Sequence, residues 1–202
     1  WQDAVEAVRA LSQSGLFPSN CRLLDSREAA LNVVTGDGTH VLLLGFESTG
    51  RSLEPAMEQA LELCSDYGGR NDGPVHRTGD DRGDAGAAGT WKQAFIEAPY
   101  LMNTLVSLGV IVDTFETAVT WDRFDALHGA VIRNVRAAMK RVCGGGFVSC
   151  RFTHVYPDGP APYFTFIAPG RHGQEIEQWA EIKRVASDTL LEHGATITHH
   201  HA

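Results

Sequence analysis

From residue 110 onward the hydrophobic periodicity switches between strand and helix spacing in a fixed order, and that order constrains the fold more than any other feature. "VIVDTFETA" alternates as a strand, turning Val110, Val112 and Thr114 to one face and Ile111, Asp113 and Phe115 to the other. "WDRFDALHGAVIRNVRAAMKRV" is the clearest helix, with Phe124, Leu127, Val131, Val135 and Met139 at core spacing. "GGGFVSCRFTHVYPDG" reads as a turn and a strand, and "PYFTFIAP" as its hairpin partner. "GQEIEQWAEIKRVASDTLLEHG" is a second amphipathic helix closed by Gly194, and "ATITHHH" is expected to form a final strand. The order β-α-β-β-α-β over residues 110 to 200 is that of a ferredoxin-like, split βαβ unit.

The first half adds helices and two more strands that can extend the same sheet. Val5, Val8 and Leu11 share one helical stripe, and "CRLLD" reads as a short strand. "DSREAALNVV" follows as a helix whose Asp25 and Glu28 have capping-box spacing. "HVLLLGFES" is a buried strand, and "SLEPAMEQALELCSDYG" a helix with Ser52 at the N-cap and Gly68 past its end. From Gly68 to Thr90 the chain is rich in Gly and Asp and nearly free of large apolar residues, which predicts a flexible loop, either a lid or a plain connector. "WKQAFIEAPYLMNTLVSLG" then begins helically around an internal Pro99. The expected fold class is α+β, helices packed on a largely antiparallel sheet, with residues 1–202 as one domain.

Composition narrows the function. Seventeen basic against twenty-five acidic residues give a net charge of −8, against a nucleic-acid-binding face, which needs clustered Lys and Arg. The longest strongly apolar run, "HVLLLGF", is far short of the ~20 residues of a membrane span. Cys21, Cys64, Cys143 and Cys150 show no C-x-x-C spacing, so reduced thiols in a cytosolic protein are expected rather than disulfides or structural zinc.

Two places can carry chemistry. His199, His200 and His201 fall where the last strand would emerge behind a helix-stop glycine, which favours native sequence over the remnant of a purification tag. Successive strand residues face opposite ways, so at most His199 and His201 could share an ion, and no metal site is expected. The second place is "THVYPDGPAPYFTF". Its Pro157-Asp158-Gly159 turn is expected to bring Tyr156 and Tyr163 near each other, with His154 and Arg151 around them. A strand tyrosine is commonly packing, but an imidazole can help remove a phenol proton, and an arginine can hold a phosphate or carboxylate bidentately.

These residues resemble a known family. "APYFTF", an amphipathic helix and then "GATITHHHA" are similar to the C-terminal substrate, or cap, domain of the alkyldihydroxyacetonephosphate synthase family, FAD-dependent enzymes of the vanillyl-alcohol oxidase type. "TWKQAFIEAPYLMNTLVSLGVIVDTFETAVTW" resembles the segment leading into that family's E-T-x-x-x-W turn, here Glu116, Thr117 and Trp121, and "CRFTHVYPDG" resembles the strand before its tyrosine. The likeness is densest over residues 91 to 202.

The resemblance implies that Tyr163 is the acid/base, that His199, His200 and His201 form the family's histidine triplet, and that His200 and His201 partner Tyr163 beside the flavin. It implies exchange of the acyl group of acyl-dihydroxyacetone phosphate for a fatty alcohol, an ether-lipid step without net redox change. Arg151 is the expected anion contact, and Met102 stands where the family carries an arginine. No G-x-G-x-x-G cradle is present, so FAD would be held mainly by a flavin-binding domain of the same parent protein, leaving this fragment inactive alone. Expected partners are that domain and a lipid-like or small anionic substrate, with no nucleic acid, and a homodimer remains open. The parent would be cytoplasmic, with peripheral membrane association open to it. Two other readings stand beside this one: a FAD-dependent dehydrogenase or oxidase of a 2-hydroxy acid, toward which Met102 leans, and a non-catalytic α+β module with a tag remnant.

Overall fold

The computed structural model describes residues 1–75 and 86–197, with 86–88, 91, 95 and 99 described by backbone alone. Helix α1 (Gln2–Gln13) leads into β1 (Asn20–Leu24), the short α2 (Ser26–Leu31), β2 (Val41–Gly45) and α3 (Glu54–Asp66). The second half runs α4 (Gly86–Ser107), β3 (Val110–Glu116), α5 (Trp121–Cys143), β4 (Phe147–Val155), β5 (Pro160–Pro169) and α6 (Glu175–Glu192). The five strands form one sheet in the order β2-β1-β4-β5-β3, with the pairs β1–β2, β1–β4, β4–β5 and β3–β5 all antiparallel.

Strand β5 lies between β3 and β4, so β3 and β4 run parallel and are joined across it by α5. This is the split βαβ arrangement that the sequence order predicts, and β1 and β2 extend the sheet beyond β4. The final strand is not formed over Ala195–Ile197, and the remaining residues of "ATITHHH" lie outside those described. The 68–90 segment also departs from expectation, because α4 already begins at Gly86. Residues 76–85 of that segment are not among those described.

Alternation in the strands separates two faces. Toward α1, α5 and α6 point Leu23, Ile111, Phe115, Val148, Cys150, Phe152, Phe164 and Phe166, all buried. Helix α5 meets them with Phe124, Leu127, Val131, Val135 and Met139, none more than 1% exposed. Each such side chain contributes roughly 1.5–3 kcal/mol by leaving water, so this layer dominates stability. The α5 helix stops where Gly144 takes φ +81, a conformation that a β-carbon would strain.

The opposite face carries a small second cluster, Leu24, Ala29 and Leu43. Beside it a polar stretch forms the candidate site, and Val112, Phe147 and Ile167 continue the same face beyond Thr114, Ser149 and Thr165. Short helix α2 packs there on β4 and β1, while α4 packs against β3. At α2 the expected cap is half made: the Asp25 carboxylate accepts from Glu28 N at 2.7 Å, but the Glu28 side chain is used elsewhere. At α3 the N-cap is Leu53 rather than Ser52, whose hydroxyl instead accepts from Glu54 N at 3.3 Å.

Candidate functional site

Register places the site. Leu24 pairs with Arg151, Arg151 with Tyr163, and Tyr163 with Glu116, so one row of side chains crosses β1, β4, β5 and β3 on the polar face. The neighbouring row is Ser149, Thr165 and Thr114. Every residue of these two rows from Ser149 to Glu116 is buried or nearly so, and Ser149 is fully enclosed. A polar layer buried to this extent persists only when its groups find partners.

They do. The Tyr163 hydroxyl donates to Thr114 Oγ1 at 2.8 Å, and the Thr153 hydroxyl donates to Glu116 Oε1 at 3.0 Å. The Arg151 guanidinium carbon lies 4.0 Å from the centre of the Tyr163 ring, in cation–π geometry. Arg151 Nη1 donates to Glu28 Oε1, and the Ser149 hydroxyl donates to Glu28 Oε2 at 2.6 Å. Asn32 Nδ2 reaches Glu28 Oε1 at 3.3 Å. Asp25 holds the ends of this assembly together, accepting from Cys150 N at 2.7 Å as well as from Glu28 N.

Burial governs the ionisation of this layer. It pushes the Tyr163 phenol above its usual range; the hydrogen bond from its hydroxyl to Thr114 and the Arg151 charge work the other way, and Glu116 and Glu28 add to the rise. The Asp25 carboxyl is raised to about 6, again by burial, against the hydrogen bonds it accepts from the backbone. In this chain the phenol is therefore held neutral, as a hydrogen-bond donor or acid, and a base role requires additional positive charge nearby.

The residues singled out in the sequence are only partly brought together. Tyr163 and Arg151 are in contact. Tyr156 is not beside Tyr163: the two-residue turn pairs Tyr156 with Gly159, five residues from the position opposite Tyr163. Tyr156 is 55% exposed and, with Val119, Arg123, Asp158 and Gly194, lines an open cleft of about 640 Å³. His154 is also exposed, its ring centre 6.4 Å from that of Tyr156. A bulge between Phe152 and His154 sets His154 opposite Ala161, so both His154 and Tyr156 lie further along the hairpin toward its turn than the position opposite Tyr163. Met102 is half-buried on α4. His199, His200 and His201 lie outside the described residues.

The chain approaching the histidines is nevertheless anchored. Thr117 Oγ1 donates to Thr196 O at 2.6 Å, and Ala118 N donates to Thr196 Oγ1 at 2.9 Å. Thr196 is thus tied to the turn directly after Glu116. In the same turn Trp121 Nε1 donates to Tyr156 O at 3.1 Å, which gives Thr117 and Trp121 of the E-T-x-x-x-W motif structural work. Four further site residues had weak sequence signals. Thr114, Glu116 and Ser149 could be found as polar positions alternating with the apolar ones of β3 and β4. Glu28 was hidden by its capping-box spacing.

This fold and this chain belong to a defined class. The family described as FAD linked oxidases, C-terminal domain, matches residues 1–202, and the protein is a member of it. Its relatives are more particular. It is 29% identical over 114 residues to alkyldihydroxyacetonephosphate synthase of Trypanosoma brucei brucei, covering 55% of this chain and 18% of that protein. It is 34% identical over 109 residues to the Caenorhabditis elegans enzyme of the same name, covering 50% of this chain and 18% of that one. A solved structure of alkyldihydroxyacetonephosphate synthase superposes with a TM-score of 0.78 at 17% identity, over 98% of this chain and 39% of the other. The chain therefore corresponds to less than half the length of the proteins it matches.

Proposed function

We propose that this chain is the substrate-binding half of a FAD-dependent enzyme of the alkyldihydroxyacetonephosphate synthase type. The observation that carries the reading is the buried row Arg151–Tyr163–Glu116, an enclosed phenol flanked by one cation and one carboxylate on the sheet face away from the core helices. The relatives' shared name and the family's FAD linkage support the substrate and the cofactor.

The residues present fit the substrate side of a flavin site. They offer a phenolic donor and a guanidinium, and the sequence holds no glycine-rich phosphate cradle. FAD, when bound between this face and the parent's flavin domain, supplies a centre able to take and return an electron pair. Everything else falls to the chain. Tyr163 exchanges a proton at its hydroxyl oxygen with the substrate carbon beside the ester, His200 and His201 share that proton, and the charge of Arg151 eases its removal. The Nε–H of Arg151 is buried and has no acceptor among the described residues, so the side chain retains a donor for a substrate anion while Nη1 stays on Glu28. In the net exchange the carbon–oxygen bond to the acyloxy group breaks and a carboxylate leaves. The alcohol oxygen bonds to the same carbon, and the alcohol proton is released.

We place the parent in a reducing compartment, a reading supported by four unpaired cysteines. The deciding experiment incubates the full-length protein with acyl-dihydroxyacetone phosphate and a labelled fatty alcohol. Label recovered in an ether-linked phosphate product supports the synthase reading. Flavin reduction by a 2-hydroxy acid, with no ether formed, would replace it by the dehydrogenase.

A further inference from the structure

Glu28 is the most enclosed charged residue described, at 0% exposure, and its spacing to Asp25 suits a helix cap it does not make. Its carboxylate crosses instead to the sheet. One oxygen accepts from Arg151 and Asn32, the other from Ser149. A buried carboxylate committed in this way fixes its partner's position, because leaving either charge alone in the interior costs several kcal/mol.

We propose that Glu28 is a positioning residue for the candidate site: from α2 it holds the Arg151 guanidinium over the Tyr163 ring and so sets the charge that the phenol experiences. The inference rests on the assignment of Tyr163 in the proposed function. Glu28 tethers the cation on one side, Ser149 and Asn32 fix Glu28, and Asp25 locks α2 to β4 through Cys150 N. The arrangement is held by backbone register rather than by flexible side chains alone, since Arg151 and Tyr163 are cross-strand partners.

The charged groups around the phenol come from each packed element. Arg151 stands on β4, Glu116 on β3 and Glu28 on α2, while Asp25 caps α2 and Arg22 of β1 lies near enough to Arg151 for the two charges to repel. Lys92 and Glu97 are the charged residues of α4, which packs on β3. Lys183 reaches the Thr114 carbonyl oxygen at 2.7 Å and Asp113 at 3.0 Å from the opposite, helix-covered face. Of these, Glu28 alone touches Arg151 by a direct ion pair among the described residues.

The test uses the full-length flavoprotein and reads Tyr163 directly. The near-ultraviolet pH-difference spectrum is recorded for the parent protein and its variants, with the Y163F spectrum subtracted. Glu28→Gln removes the opposing charge and leaves the cation on the ring, so Tyr163 should ionise about one pH unit lower than in the parent protein. The double variant E28Q/R151M leaves no buried charge unpaired, is expected to fold, and should ionise higher than the parent protein. A merely structural role would lower thermal stability in these proteins and leave the order unmoved. Unchanged Tyr163 ionisation in E28Q, or in the double variant should E28Q not fold, overturns the proposal. A protein that makes no ether product yet shows the ordered shifts removes the synthase reading and keeps the Glu28 clamp.

Discussion

Arg151 and Tyr163 face each other across β4 and β5, the guanidinium carbon 4.0 Å from the ring centre. The phenol hydroxyl points away from this contact to Thr114. One side chain thus has its ring under a cation and its reactive oxygen in a separate hydrogen bond. The two can be altered independently, and the predictions below use that separation.

Replacing Tyr163 with phenylalanine keeps the ring beneath Arg151 and deletes only the hydroxyl bonded to Thr114. Stability should fall by about 1 kcal/mol, the worth of one hydrogen bond. Turnover of the acyl substrate should fall ~100-fold or more if the hydroxyl moves a proton. Urea melts and steady-state rates on one preparation separate the two effects; near-normal turnover would assign Tyr163 to packing.

Met102 is half-buried on α4, where the synthase family is expected to carry an arginine. Met102→Arg should restore a second cation and lower the KM for a phosphate-bearing substrate by about tenfold, with kcat little changed. An unchanged KM would show that this side chain does not meet the phosphate.

Two buried groups give opposite pH dependences. His128 packs on Trp1, Phe124 and Phe164 with Nε2 buried and without a hydrogen-bond partner among the described residues, and burial lowers it from 6.5 to about 4. Its stabilising contribution is complete above 6.5 and is lost as the pH falls toward about 4, because the unfolded chain binds the proton that the native state refuses. Asp25, raised from 3.8 to about 6, contributes fully below 3.8, and that contribution fades as the pH rises through about 6. His128→Phe removes the first effect only. Relative to the parent protein, the variant should gain ~1–2 kcal/mol at about pH 5 over about pH 7 in urea melts. An equal difference at both pH values would contradict the burial of a neutral imidazole.

Leu127 is fully buried where α5 meets the sheet. Leu127→Ala should cost about 2–5 kcal/mol in a denaturant melt, through lost burial and the cavity left behind. The rate per folded molecule should not change, since the residue lies on the face opposite Tyr163. A smaller loss would mean that the α5 layer can collapse around the gap.

The apolar skeleton was legible because it is periodic. Phe124 through Met139 announce α5, and alternation in β3, β4 and β5 announces the hairpin and its neighbour. Other features were not legible, for identifiable reasons. Tyr156 and His154 flank the same turn as Tyr163 in the sequence, but the turn closes tightly at Tyr156 and Gly159, which leaves both near the hairpin end and away from the position opposite Tyr163. Glu28 satisfied a local motif, and only the tertiary meeting of α2 with β4 redirects its carboxylate to Arg151 and Ser149. The start of α4 at Gly86 was obscured by glycines and alanines whose composition suggests a loop.

The central claim is that Tyr163 and its polar face serve acyl exchange at a flavin. Its most direct measurement is the anaerobic visible spectrum of the full-length protein, taken before and after acyl-dihydroxyacetone phosphate is added. The account predicts a flavin band that bleaches with this substrate and returns when a fatty alcohol is supplied without oxygen. A flavin band indifferent to that substrate, or a protein that holds no flavin, would contradict it.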